Sequence, residues 1–318
     1  MIELLIRNFY FMIGFLYILC LLGVSLGYHF IFNDVVREAP FVLNAKGEIS
    51  HDVYFSPLEY PPFGTDFYGY SLFSQFIIGA KYTIGMTIII AFLRLLVSTI
   101  LGSVIGVFLP KIYRIILPLV YGYKYYPAAL LCLFIVLYHS DHHILFIIFL
   151  LAGVAIPTTT ITIAGEMREV LSKPFIESSY VLGASKRRIL LTHVRPFLIP
   201  QLTLIFIREL VQTVLLIAHL AILGIFITNA TKTYEWAGLL GDWWDEYWKS
   251  TPWQAFEALL WITTIILGFH AMAKGIEEAL QSQSTKYKKR PVENQQNGVQ
   301  QFEIGDAEDG FQFIRKES

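Results

Sequence analysis

Charge and sulfur are what this sequence has least of. Charged residues make up 15% of the 318 positions, well below the roughly 25% of a soluble globular domain. The formal net charge of −1 hides a segregation of signs between connections, so the total says little about partners, and no nucleic-acid partner is expected. Only two cysteines occur, Cys20 and Cys132, each inside an apolar run. They read as small buried hydrophobes rather than a disulfide or a metal site, so redox compartment is not readable from them. A Gly-rich loop ending in Gly-Lys-Ser or Gly-Lys-Thr is missing, so the chain has no evident means of binding ATP by itself. No nucleophile, base and orienting group stand at sensible spacing, which argues against an enzyme. No convincing internal repeat is found, which argues against a carrier built from inverted halves.

What fills the sequence instead is apolar: 55% of residues are hydrophobic and the mean hydropathy is +0.55. That composition predicts an integral membrane protein of all-α class, because only helices or closed barrels satisfy their backbone in lipid. A bilayer core needs about 20 apolar residues in helical form. Six segments meet or approach that length, at 9–32, 82–108, 126–139, 144–164, 198–228 and 255–274. The third is short. The first is too long for a signal-peptide core and has no small-residue cleavage site after it, so it is expected to be retained.

Lys and Arg cluster in alternate connections. Arg7; Lys111, Arg114 and Lys124; Arg168, Lys173, Lys186, Arg187, Arg188 and Arg195; and Lys274 with Lys286, Lys288, Lys289 and Arg290 predict one cytoplasmic side. The opposite connections hold Arg37, Lys46, Lys81, Lys232 and Lys249. An even number of spans follows, with both termini in the cytoplasm. Outside, residues 33–70 form a Pro-rich segment, and the tryptophans of 229–253 are expected to form an interface belt. Three regions are predicted: 1–81, the first span, an extracytoplasmic segment and an amphipathic lead-in; 82–275, the transmembrane core; and 276–318, a Gln-, Asn- and charge-rich cytoplasmic tail expected to be disordered.

The longest water-loving helical stretch is IESSYVLGASKRRILLTHVRP, residues 176–196. Ser172 with Pro174 predicts a helix start, Gly183 a left-handed stop, and Ser185 the cap of a second helix running to Pro196. Ile176 and Tyr180 share one face; Ile189, His193 and Val194 share another, while Lys186, Arg187 and Arg188 gather at the turn. Such an elbow either docks into a partner or rests on anionic lipid.

Glu177, Ser178, Ser179, Gly183 and Pro196 resemble the E-A-A loop of ATP-binding cassette importer permeases. The run Gly183, Ala184, Ser185, a basic stretch and His193 before Pro196 is similar to the version in dipeptide, oligopeptide and nickel permeases. A second stretch, PPFGTDFYGYSLFSQFIIGAK, resembles the segment before that family's second span through Gly64, Thr65, Asp66, Gly69, Ser74 and Gly79. EWAGLLGDWWDEYWKSTPWQAF is similar to the region leading into its last span, so the likeness covers roughly 60–275. Departures are visible. Ser178 and Ser179 stand in place of alanines, Tyr70 and Ser71 in place of an Arg-Asp pair, and the fifth span carries His219 without the usual Glu.

The resemblance implies a type I importer permease fold with a coupling loop near 165–197. It also implies partners: ATPase subunits that bind the ATP, a second permease subunit that is related but different, an extracytoplasmic substrate-binding protein, and the cell-membrane bilayer. Peptide is the implied substrate, with nickel a minority choice. An ion-gradient carrier and a membrane scaffold that docks an ATPase remain the alternatives from the residues alone.

Arg94 in the second span and Arg208 and Glu209 in the fifth lie at membrane depth, where an unpaired Arg costs about 2.5–3.5 kcal/mol on insertion scales. Either Arg94 pairs with Glu209 beside a substrate path, or each charge snorkels, meets water or faces a neighbouring subunit; sequence alone leans to the second. His139, Asp141, His142 and His143 carry metal-ligating groups in one short loop. Adjacent His142 and His143 cannot easily aim at one ion and no further ligand is placed, so no metal site is assigned.

Overall fold

A computed structural model of the chain describes residues 7–38, 55–66, 68–138, 144–224, 234–246 and 252–288. Ten α-helices follow one another in the described residues, with π-helical turns at Val104–Phe108 and Leu190–Val194: α1 Phe9–Phe32, α2 Leu72–Ser103, α3 Pro110–Lys124, α4 Ala128–Tyr138, α5 Ile144–Leu171, α6 Pro174–Val181, α7 Lys186–Ile189, α8 Arg195–Ile222, α9 Trp236–Glu246 and α10 Pro252–Lys288. No strand is present among these residues, only isolated bridges pairing Glu38 with Tyr70 and Thr65 with Ser71. By length and composition, five helical segments can cross a membrane, and six if α3 and α4, bent by 83° at their junction, make one broken span. The HSDHH loop, with His139, Asp141, His142 and His143, lies outside the described residues.

Several expected boundaries move. The second span begins at Leu72, so the proposed division at 81/82 falls inside a continuous helix. Lys111, Arg114 and Lys124 sit on α3 rather than in a loop, because Pro110 starts a helix and Pro127 interrupts it before α4. The last helix continues to Lys288, past residue 276 where a disordered tail is expected; residues 289–318 are not described.

Small residues set how closely the spans pack. On α2 and the π-helical turn Val104–Phe108 that continues it, Ser98, Gly102 and Gly106 recur every fourth residue and face α5. Ser98 Oγ donates to the Ile156 carbonyl at 3.2 Å. A Cβ on Gly102 would meet the Thr160 carbonyl at 2.9 Å, and one on Gly106 the Ala164 carbonyl at 3.0 Å. On the other side, Gly14 and Gly275 let α1 and α10 approach until a Cβ at either would stand within 2.6 Å of backbone.

The core is divided. A main cluster joins α1, α2, α5, α8, α9 and α10 through buried residues such as Phe76, Ile84, Leu151, Leu210, Trp236 and Phe269. A second cluster lies toward the α5–α8 connection and contains Val107, Ile163, Met167, Val170, Ile176, Ile189, Val194, Leu198 and Ile205. Trp236, expected in an interface belt, is fully buried in the main cluster: its Nε1 donates to the Phe76 carbonyl at 2.9 Å, and its ring lies 5.9 Å from that of Trp261. Its backbone is held in place by Thr83, which accepts from the Trp236 amide at 3.0 Å.

Candidate functional site

The motif from Gly64 to Gly79 is built as a staple. Gly64 (φ +81°) and Gly69 (φ +85°) take the left-handed conformations that glycine adopts without steric cost. Between them Asp66, buried, accepts the amides of Tyr68 at 2.9 Å and Tyr70 at 2.8 Å through Oδ1, and Gln75 Nε2 at 2.6 Å through Oδ2. Burial pushes the Asp66 carboxyl above its usual range despite these bonds. Thr65 Oγ1 accepts from the Phe55 amide at 2.7 Å, and the Thr65 carbonyl accepts from Gln254 Nε2 at 2.9 Å, tying the motif to α10. Ser74 is buried on α2, and Gly79 is pressed against the Tyr234 carbonyl and Trp236. Glu235 beside them is buried and accepts the amides of Ala237 and Gly238 at 3.1 and 2.8 Å, capping α9. Burial also raises the Glu235 carboxyl above its ordinary value.

Deeper in the bundle the two opposite charges meet. Arg94 is 1% exposed and its Nη1 lies 3.2 Å from Glu209 Oε2. Its Nε and Nη2 donate to the Leu151 carbonyl at 3.1 and 2.7 Å, and Nη1 donates to Thr213 Oγ1 at 3.0 Å. Thr159 Oγ1 donates to Glu209 Oε1 at 2.7 Å. Arg94 and Glu209 therefore pair with each other, against the expectation that each snorkels, meets water or faces a neighbouring subunit, and the network binds α2, α5 and α8 together. Arg208, the neighbouring charge, turns away and forms an ion pair with Glu277 of α10 at 2.5 Å. The hydroxyls of Thr159 and Thr213 and the Leu151 carbonyl are partners that charge spacing does not reveal; the Thr158-Thr159-Thr160 run after Pro157 is the available signal.

Beside this clamp opens a cavity of about 670 Å³, walled by Arg94 and Glu209, by Thr158, Thr159 and Thr162 of α5, by Arg208, Gln212 and His219 of α8, and by Tyr123 and Lys124 at the α3–α4 bend. A cavity of about 220 Å³ continues along α5, sharing Lys124, Thr158 and Thr162 and adding Glu166 and Glu169. Among the described residues no group of three His, Cys, Asp or Glu side chains is placed to hold a metal ion.

The elbow keeps its expected glycine turn, but the second helix, expected to run to Pro196, is only the short α7, and Leu190–Val194 carry the chain into α8 as a π-helix. Gly183 has φ +81° and closes α6, with the Leu182 amide donating to Ser178 O and the Ala184 amide to Ser179 O, both at 3.1 Å. Ser185 Oγ accepts from the Arg188 amide at 3.3 Å, and Pro196 lies in the first turn of α8. Ser178 and Ser179, in the alanine positions, turn their hydroxyls back onto the carbonyls of Pro174 and Phe175 at 3.3 and 2.9 Å. They thus satisfy themselves within the helix.

The apolar faces do not point outward for a partner. Ile176, Ile189 and Val194 are fully buried against Ile163, Met167 and Val170 of α5 and Leu198 of α8. Phe175 packs on Phe197 with ring centroids 5.6 Å apart, and Lys173 lies over the same Phe197 ring. The surface left open carries Val181 and Leu182, 83% and 87% exposed, with Gly183 between them and Ser185, Arg187 and Arg188. The backbone of Glu177 lies on α6.

Comparison with known proteins adds the following. The profile of the family described as "Binding-protein-dependent transport system inner membrane component" matches residues 98–273. The "Glutathione transport system permease protein GsiD" of Escherichia coli O6:K15:H31 is 25% identical over 218 residues, which cover 69% of this chain and 71% of that protein. The "Oligopeptide transport system permease protein OppC" of Haemophilus influenzae is 22% identical over 219 residues, covering 69% of each.

Proposed function

Since the chain belongs to the family of binding-protein-dependent inner-membrane transport components, and its similar proteins serve glutathione and oligopeptide transport, we propose that its solute is a short peptide. The chain is a multi-pass permease subunit of an ATP-driven importer, not an enzyme. Its broken span, Arg94–Glu209 clamp and adjoining cavity supply one half of the solute path, the other half coming from a related second permease. The Gly64–Asp66 staple faces the side on which a binding protein delivers. Both termini lie in the cytoplasm, in keeping with Arg7 and Lys274 there.

The observation that carries the mechanism is the anchoring of the elbow. Ile176, Ile189 and Val194, all fully buried, fasten α6 and α7 onto α5 and α8 and leave Val181 and Leu182 as the exposed apolar contact. An ATPase subunit seated on Val181, Leu182, Arg187 and Arg188 therefore moves the two spans directly. Swinging a two-state transporter from 1:99 to 99:1 takes about 5.5 kcal/mol of differential binding, which needs a stiff joint of this kind. The spans then rock between outward-open and inward-open states.

The test is reconstitution. The chain is purified with its co-purifying subunits, and ATP-driven uptake of radiolabelled tripeptide into proteoliposomes is measured with and without the elbow's exposed residues replaced. Cysteines at Val181 or Leu182 should crosslink to a nucleotide-binding subunit. Crosslinking to lipid alone would remove the coupling role, and proton- or sodium-driven uptake without ATP would remove the mechanism.

A further inference from the structure

Lys124 stands where the two cavities meet. It forms part of the wall of both, and Thr158 and Thr162 of α5 are the other residues they share. The larger cavity's other cations are engaged: Arg94 with Glu209, and Arg208 with Glu277. Among the described residues, no carboxylate forms an ion pair with Lys124; its ammonium lies 5.8 Å from the centre of the Tyr121 ring and the side chain is exposed. Below it the smaller cavity turns acidic, with Glu166 and Glu169 in its wall.

The sign of charge therefore changes along one face of α5, over Thr158, Thr162, Gly165, Glu166 and Glu169, which recur at helical spacing. An uncompensated ammonium in a walled cleft concentrates anions, since a low-dielectric wall focuses its field. The flanking Thr158 and Thr162 hydroxyls spend their protons on the Ala155 and Thr158 carbonyls at 2.8 and 2.9 Å, which leaves the Lys124 ammonium as the donor for an oxyanion.

Resting on the reading of the chain as an importer permease, we propose that Lys124 is an anion-selecting contact of the solute path. It receives the carboxylate end of the passing solute at the junction of the two cavities. The geometry gives the solute a polarity. Its anionic end is held at the bend between α3 and α4, and a cationic end is drawn toward Glu166 and Glu169. Solutes lacking the anionic group lose that contact and pass less readily.

The test uses the full-length chain in membranes, with Cys20→Ser and Cys132→Ala as background and Thr162→Cys as reporter in the shared wall. Two thiol reagents of similar size are compared, sulfonatoethyl and trimethylammonium-ethyl methanethiosulfonate, each normalised to its rate with a free thiol. The anionic reagent is expected to be favoured by about threefold or more, the size of effect a single nearby charge exerts through a partly aqueous medium. Lys124→Gln should bring the ratio toward unity and Lys124→Glu should invert it. Lys111→Gln, on the same helix but in neither wall, should leave it unchanged. A ratio indifferent to residue 124, or a thiol at 162 that neither reagent reaches, overturns the proposal. Labelling needs neither ATPase nor binding protein, so a failure of ATP-driven uptake is recorded separately and bears on the importer reading alone.

Discussion

Arg94 and Glu209, 115 positions apart in sequence, form an ion pair at 3.2 Å with the arginine almost wholly buried. Every donor nitrogen of the guanidinium is used, two of them on the Leu151 carbonyl. The pair thus sits in a three-helix network whose members are each satisfied, the condition under which buried charge is tolerated.

Breaking that network from one side leaves the opposite charge stranded, at a cost of about 3–5 kcal/mol. Arg94→Met and Glu209→Met should each lower the unfolding midpoint of the detergent-solubilised protein sharply. The double variant should recover much of the loss. Exchanging the charges, Arg94→Glu with Glu209→Arg, should recover little, because a glutamate at 94 offers the Leu151 carbonyl no donor. Full recovery by the exchange would mean that the Coulombic pair alone matters.

Gly183 has open space around a built Cβ, so only its φ of +81° resists substitution. An L-residue there pays about 1–2 kcal/mol, enough to redirect the turn without harming the spans. Gly183→Val, and independently Glu177→Lys, should abolish uptake while membrane insertion stays normal by fractionation and protease protection. Normal uptake by both variants would refute the elbow's coupling role.

Shaving the elbow's anchors should separate hydrolysis from transport. Ile176→Ala or Ile189→Ala removes a fully buried side chain, a loss of about 2–5 kcal/mol in a packed cluster. In the reconstituted assembly, ATP turnover should persist while peptide moved per ATP falls. A fixed ratio in both variants would show that the anchors do not transmit the stroke.

A Cβ at Gly79 would lie 2.0 Å from the Tyr234 carbonyl oxygen, whereas one at Gly85, six positions on in the same helix, meets nothing within 4 Å. Gly79→Ala should therefore yield little folded protein by size-exclusion fluorescence, and Gly85→Ala should yield as much as the parent chain. Equal yields would contradict the packing of α2 against the segment before α9.

Asp34 closes the outer end of α1 by accepting from Lys81 Nζ at 2.6 Å and by contacting His29 Nδ1 at 2.8 Å. Desolvation pulls the Asp34 carboxyl upward, but the hydrogen bonds and charges of Lys81 and His29 outweigh it and hold the group below its usual range. A lowered folded-state value adds stability above the unfolded value of about 3.9, and that stability drains away as pH falls through the folded value. The carboxylate is largely solvent-screened, so the gain stays under about 1 kcal/mol. The gap in unfolding midpoint between the parent chain and Asp34→Asn should be present at neutral pH and vanish in strong acid; a gap that widens in acid would reverse the sign.

The spans, the glycine turn at 183 and the cap at Ser185 were legible because they follow from local chemistry: apolar length, φ preference, and hydroxyl capping. What escaped were features fixed by tertiary contact. Trp236 has the composition of an interface residue, yet a hydrogen bond to Phe76 and a neighbouring Trp261 draw it inward. Lys124 looks like loop charge, yet Pro110 opens a helix that carries it and Pro127 marks the 83° bend that follows. Arg94 and Glu209 are conspicuous singly, but nothing in linear order sets their rotation about α2 and α8 so that they meet.

The division of the hydrophobic interior into two clusters has a thermal consequence. The smaller cluster, around Ile163, Ile176, Ile189 and Val194, has its own set of buried side chains, and α6 and α7 contribute to it alone. Amide hydrogens of α6 and α7 should therefore exchange with deuterium as a unit, ahead of α2 and α5 at the clamp. On warming, the segment between α5 and α8 would loosen before the Arg94–Glu209 clamp does.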